Sequence, residues 1–192
     1  MGKQRPLPAD IRVEDYGVVL TRLTVDDLEM VRRWRTSPEI NQFMLYREPI
    51  TPEMQRRWYA SLDPERDLHF VIHWGGTPCG LSDLKRIDWE AGTNVGGIFM
   101  TPEHWHTDVP MRVTFAATNY AFHQLGLQAT LCSVRKTNTR AIRFNLAVGY
   151  HILNSEPDDP SLAYEMRMDR DDYERATRRL RAYLRKTAAV SR

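Results

Sequence analysis

The stretch from Lys136 to Tyr150, KTNTRAIRFNLAVGY, is the part of the sequence whose residue types and spacing best suit chemistry. Asn138 stands just before a helix-forming run, so its side-chain oxygen can cap the first turn while the amide remains outward. Ala141 keeps that turn thin enough for a ligand to lie against it. Gly149 supplies the left-handed residue that ends a helix before a strand resumes. The plainer alternative is a well-capped helix and nothing more. His104-Trp105-His106 invites a metal, but no further His, Cys or acidic residue has helpful spacing unless Glu103 or Asp108 folds in, so no metal site is expected. His69 and His73 flank an apolar run and read as satisfied polar residues at a strand edge. Cys79 and Cys132 lie in strand-like runs without a close partner, and read as small buried residues of a reducing compartment.

The elements that must position these residues can be read from hydrophobic period and turn chemistry. Residues 1–15 form a flexible N-terminal arm, rich in proline and charge, and 16–192 a single domain. Tyr16–Leu23 is a first strand. Thr24 caps a helix that carries Leu28, Val31 and Trp34 and stops at Ser37-Pro38. A second helix begins near Thr51-Pro52, with Met54, Trp58 and Leu62 on one face. Three strands follow with tight turns, at His69–His73, Cys79–Ile87 and Asn94–Met100, as an antiparallel meander. Gly96-Gly97 predicts a bulge or a close approach by another backbone. Strands and helices then alternate: helix Pro110–Leu125, strand Ala129–Val134, helix Asn138–Val148, strands Tyr150–Leu153 and Leu162–Met168, and a basic helix from Asp171. A meander followed by alternation predicts an α+β fold, with a mixed, mostly antiparallel sheet of about seven strands and helices on both faces.

A chain of 192 residues with 42% apolar and 27% charged residues can bury a full core. Lys and Arg number 27 against 25 Asp and Glu, so net charge gives no support to general nucleic-acid binding. No apolar run is long enough to span a bilayer, and the start lacks a signal peptide's apolar core, which predicts a cytoplasmic protein without membrane contact. In the last helix Arg175, Arg178, Arg179, Arg181, Arg185 and Lys186 oppose Ala176, Leu180, Tyr183 and Leu184. That pattern suits a solvated amphipathic helix, with RNA or the ribosome as the sharper alternative.

The order of elements and the Asn138-x-x-Ala141 helix ending in Gly149-Tyr150 resemble the GNAT superfamily of N-acetyltransferases. The run Leu28–Ile40 and the strand Leu162–Met168 are similar to the branch that acetylates ribosomal-protein N-termini and nucleotide-linked amino-sugars. The resemblance covers about residues 16–173. It implies acetyl-CoA as co-substrate, a primary amine as acceptor, and a monomer or homodimer. The family's pyrophosphate loop, Gln/Arg-x-x-Gly-x-Gly/Ala, corresponds here to Trp105-His106-Thr107-Asp108-Val109-Pro110, followed by Met111 and Arg112. Asp108 and Pro110 replace the glycines, which brings a carboxylate toward an anion site and removes one N–H donor. The structural account of the same residues is that Asp108 caps the helix, with Pro110 in its first turn. Arg112 or Arg143 could offset the charge. The resemblance assigns cofactor contacts to this loop, to Asn138, Arg140, Ala141 and Arg143, and to the backbone of Phe99 and Met100, which would polarise the thioester carbonyl. Where many relatives have a tyrosine acid, four residues after the helix alanine, this chain has Asn145. That side chain donates a hydrogen bond but no proton. Tyr150 is the nearby phenol, expected to pack and, alternatively, to serve as the acid. A second reading is a GNAT-fold binding or regulatory protein with weakened or lost CoA binding.

Overall fold

The computed structural model describes residues 7–154 and 161–190, with side chains as far as Thr187; residues 1–6 of the expected N-terminal arm lie outside the described residues. Eight strands form one sheet: β1 Arg12–Asp15, β2 Val18–Arg22, β3 Leu68–Trp74, β4 Thr77–Asp88, β5 Thr93–Met100, β6 Ala129–Arg135, β7 His151–Ile152 and β8 Ala163–Asp169. Their spatial order is β1-β2-β3-β4-β5-β6-β8-β7. Every pairing is antiparallel except β5 with β6. Six α-helices accompany the sheet: α1 Leu28–Thr36, α2 Pro38–Asn41, α3 Pro52–Ala60, α4 Val109–Asn119, α5 Thr139–Ala147 and α6 Arg170–Val190.

The first expected strand divides in two. Asp15 pairs with Val18, leaving Tyr16-Gly17 as a two-residue turn with φ of 52° and 78°. Positive φ at both positions matches the right-handed twist of the strands, and glycine accepts it without strain. Residues 12–15, which the sequence reading placed in the arm, thereby become the edge strand β1.

Two apolar layers cover the sheet. On one face α4, α5 and α6 bury Leu20, Phe70, Ile72, Met100, Val113, Phe115, Val148 and Leu184 in the main core. On the other, α1 and α3 close a smaller cluster of Leu28, Val31, Val71 and Leu81, with Trp34, Trp58 and Phe99 packed against it. A buried polar network fastens α4 to α6. Asn119 Nδ2 donates to Tyr16 Oη at 2.9 Å and to Asp15 at 2.8 Å, and Tyr173 Oη donates to Asn119 Oδ1 at 2.9 Å. Arg181 lies 4.7 Å over the Tyr173 ring and pairs with Glu174.

That burial of Arg181 corrects the expected face of the last helix. Tyr173, Thr177, Arg181 and Leu184 point inward, while Leu180 and Tyr183 face solvent. The charge of Arg181 is tolerated there because a carboxylate, a hydroxyl and an aromatic face all receive it. No described helix is long and apolar enough to cross a membrane.

Candidate active site

The site begins where β5 and β6 part. Their parallel pairing covers Thr93–Val95 with Ala129–Leu131 and goes no further. From Gly96 to Met100, β5 pairs only with β4. Thr101 N donates to Cys79 O at 2.9 Å, and the register with β4 is regular from there to Lys85. In an antiparallel ladder alternate residues turn their N–H and C=O to opposite sides. Gly97 and Phe99 therefore face β4, whereas Ile98 and Met100 present theirs to the gap. Of the two residues expected to offer backbone there, Met100 turns toward the gap and Phe99 into the ladder. Ile98, which sequence reasoning missed, joins Met100. Strand register alone would have found it.

The loop before α4 is drawn over the gap's mouth by Trp105. Its indole N–H donates to Met100 O at 2.8 Å, and its ring meets Phe43 edge-on at 5.8 Å. Thr107, rather than Asp108, receives the first free helix donor: Val109 N donates to Thr107 Oγ1 at 3.2 Å. The Asp108 side chain makes no capping bond, which corrects the expected cap. Its carboxylate is taken instead by Arg112, 2.8 Å away. Arg112 is held in turn by Tyr16 O at 2.9 Å and Thr187 at 3.2 Å, with Trp74 beneath it at 5.5 Å. The pair neutralises the charge that the sequence placed in the anion site. Among the described residues the N–H groups of His106, Asp108 and Met111 have no partner. Pro110 sits in the first turn, where a missing N–H costs nothing. This N-terminus can receive an anion.

Across from it stands the N-terminus of α5. Asn138 Oδ1 accepts from Ala141 N at 3.2 Å, as its position predicted. Arg140 reaches back to the other loop, its guanidinium 4.9 Å over the Trp105 ring and 3.5 Å from Trp105 O. Arg143 and His106 are exposed. At the far end of α5, Gly149 has φ of 110°, and a Cβ there would come within 3.0 Å of the Asp172 backbone. The glycine both ends the helix and lets α6 approach.

Asn145 and Tyr150 meet at Cys132, on the strand that borders the gap. Asn145 Nδ2 lies 3.3 Å from Cys132 Sγ and 3.8 Å from Met166 Sδ. The Tyr150 hydroxyl interacts with Thr130 and Cys132, and burial pushes its pKa above the usual phenol value. Burial likewise pushes the Cys132 thiol up to about 12 and Cys79 up to about 11, so neither is a thiolate nucleophile. Both cysteines are free and buried.

His73 is satisfied, 2.9 Å from Thr21 Oγ1. His69 is not the satisfied edge residue expected: it lies on β3 inside the sheet, 6% exposed, and its Nδ1 has no hydrogen-bond partner. Among the described residues His151, Asp169 and Asp172 have ligand spacing for a metal. Arg167 and Arg175 already occupy the two carboxylates.

The fold that positions these elements is shared with solved proteins. A spermidine N-acetyltransferase from Vibrio cholerae, in complex with CoA and spermine, superposes with a TM-score of 0.73 at 17% identity, over 82% of this chain and 98% of that one. A domain from Methanocaldococcus jannaschii superposes with a TM-score of 0.67 at 16% identity, over 79% and 97%. At such identities the likeness speaks for the fold. By sequence, 97 residues are 26% identical to an uncharacterised protein of M. jannaschii, covering 47% of this chain and 20% of that protein; the match spans about a fifth of this curated relative. The profile of the acetyltransferase (GNAT) domain matches residues 18–151, from β2 to the start of β7. The parted strands and the capped α5 both lie inside that span, and the chain belongs to the GNAT acetyltransferase family.

Proposed function

We propose that this chain moves an acetyl group from acetyl-CoA to a primary amine. The observation that carries the proposal is the open backbone edge at Ile98 and Met100, flanked by the N-termini of α4 and α5. Acetyl-CoA supplies an activated thioester, and the chain must orient it, polarise its carbonyl and manage two protons. The free N–H groups of the Trp105–Met111 loop and the positive end of α4 suit a pyrophosphate. The Asp108–Arg112 pair removes the main objection to that fit. Asn138, Arg140 and Ala141 form the opposite wall. The Ile98 and Met100 backbone is placed to donate to a carbonyl oxygen that gains negative charge. Tyr150, whose hydroxyl meets Thr130 and Cys132 on the strand beside the gap, is assigned as the proton donor to the leaving sulfur. The burial that raises its pKa makes it a weaker acid, and Asn145 lies on the same Cys132.

Calorimetry with acetyl-CoA tests the reading. The expected dissociation constant is micromolar to sub-millimolar, about −5 to −8 kcal/mol. Asn138→Ala should weaken binding by roughly 1–2 kcal/mol, one hydrogen bond plus one cap. Absence of heat at millimolar acetyl-CoA, together with no CoA release on any amine, would favour a binding or regulatory role on the same fold.

A further inference from the structure

On the sheet face opposite α4 and α5, three cross-strand neighbours line up: His69 on β3, Asp83 on β4 and Gly97 on β5. Gly97 belongs to the strand that borders the gap. Its missing side chain makes room for Asp83, since a Cβ would lie 2.5 Å from Asp83 Oδ1. Asp83 Oδ2 accepts from Lys85 Nζ at 3.1 Å and lies 3.9 Å from His69 Nδ1. Asp83 Oδ1 is buried and has no hydrogen-bond partner, and neither has His69 Nδ1. Trp58 closes the far side of the imidazole, with ring centroids 5.0 Å apart.

Arg35, on α1, faces the same cluster. Its Nε is buried without a partner. Among the described residues its side chain makes no hydrogen bond or ion pair, although the Asp83 charge is near enough to oppose the effect of its burial. A buried guanidinium nitrogen and a buried carboxylate oxygen left without hydrogen-bond partners are costly. Asp83 Oδ2 is paired with Lys85, but Asp83 Oδ1 and Arg35 Nε are left without a hydrogen-bond partner, and Asp83 packs on Gly97 of the strand that borders the gap, on the face away from the two helix N-termini. One ligand could satisfy both if it offered a cation to Asp83 and an oxyanion to Arg35. A polyamine offers only the first, and would meet Arg35 and Lys85 with like charge. A planar guanidinium is suited to binding a carboxylate by two hydrogen bonds.

We propose that the acceptor amine is an amino acid, its ammonium group held at Asp83 Oδ1 and its carboxylate at Arg35. The proposal rests on the acetyl-transfer reading and narrows it. The test uses alanine, β-alanine and 4-aminobutyrate, each beside its own amide, with spermidine as the polycation. CoA release gives kcat/KM, and calorimetry without acetyl-CoA gives binding of the same probes. At least one amino acid should exceed its amide about tenfold in kcat/KM, the scale of one charge-assisted contact. Arg35→Met should bring that ratio close to one, with Arg35→Lys between. Asp83→Asn should lower turnover of acid and amide alike. Melting temperatures identify any variant that fails to fold; Arg35→Lys, which preserves charge and bulk, then decides in place of Arg35→Met.

Spermidine or the amides preferred by the unaltered protein would overturn the proposal, as would an acid-to-amide ratio that Arg35→Met leaves intact. If acetyl-CoA itself neither binds nor turns over, the acetyl-transfer reading fails. Calorimetry on the acid and amide pairs still settles the amine–carboxylate site.

Discussion

His69 is the residue whose protonation should be visible from outside. Burial holds its pKa below the ordinary histidine value; Lys85 and Arg35 add to that effect, and Asp83 and Asp67 oppose it. A histidine more acidic in the fold than in the unfolded chain leaves the unfolded state with more bound protons as pH falls. Its contribution to stability is therefore full above about pH 6.5 and declines below that value. His69→Gln should flatten this part of the acid limb. Urea midpoints at pH 7.5 and pH 5 measure it: the drop between them should be smaller in the variant. An equal drop in both proteins would mean that the imidazole titrates freely. Asp108 illustrates what single residues concealed in the sequence. Its position suggested a cap and a repelled phosphate, but the side chain turns to Arg112, four residues along the same helix. The i,i+4 spacing was visible, whereas the burial that makes Arg112 demand a partner came from the Tyr16 turn and Thr187, far away in the chain.

At the scale of elements, the period of apolar residues was enough for most of the fold. The meander, the α4 and α5 helices and the basic last helix all lie where spacing and turn residues put them. What spacing could not supply was the pairing between strands distant in sequence. Gly96-Gly97 suggested a bulge or an approaching backbone, yet the irregularity falls between Lys85 and Asp88. The glycines instead admit side chains: Asp83 at Gly97, and Thr130 Oγ1, which would sit 3.1 Å from a Gly96 Cβ. Gly97 is not in a positive-φ conformation, so Gly97→Ala acts by volume alone. It should displace the Asp83 carboxylate and cost about 1–3 kcal/mol of stability, the usual range for overpacking. KM for the amine should rise while acetyl-CoA affinity holds, because the loop before α4 is on the other sheet face. A variant with unchanged amine KM and full stability would show that Asp83 moves aside freely. The inward face of the last helix, unlike its position, escaped pattern reading. Its inward stripe is built on Tyr173, Thr177 and Arg181, and polar residues satisfied by partners on other elements leave no apolar period to read.

Across the whole molecule, the brief parallel contact of β5 with β6 has a mechanical consequence. Three residue pairs join the meander β1–β5 to the strands β6–β8 within the sheet, against seven between β6 and β8. Strand pairs of such different lengths seldom share one opening free energy, so the seam is the natural line of sub-global unfolding. Amide hydrogen exchange should show this directly. In the free protein, the amides of Thr93–Val95 and Ala129–Leu131 that face the seam, Asn94 among them, should lose protection before Phe70–Ile72 does at the centre of the meander. A ligand that spans the gap ties the two leaves together, so saturating acetyl-CoA should slow exchange on both sides of the seam, by at least tenfold at 100 times its dissociation constant. Equal protection of seam and meander in the free protein would mean that the helices, rather than the sheet, set how the two leaves move.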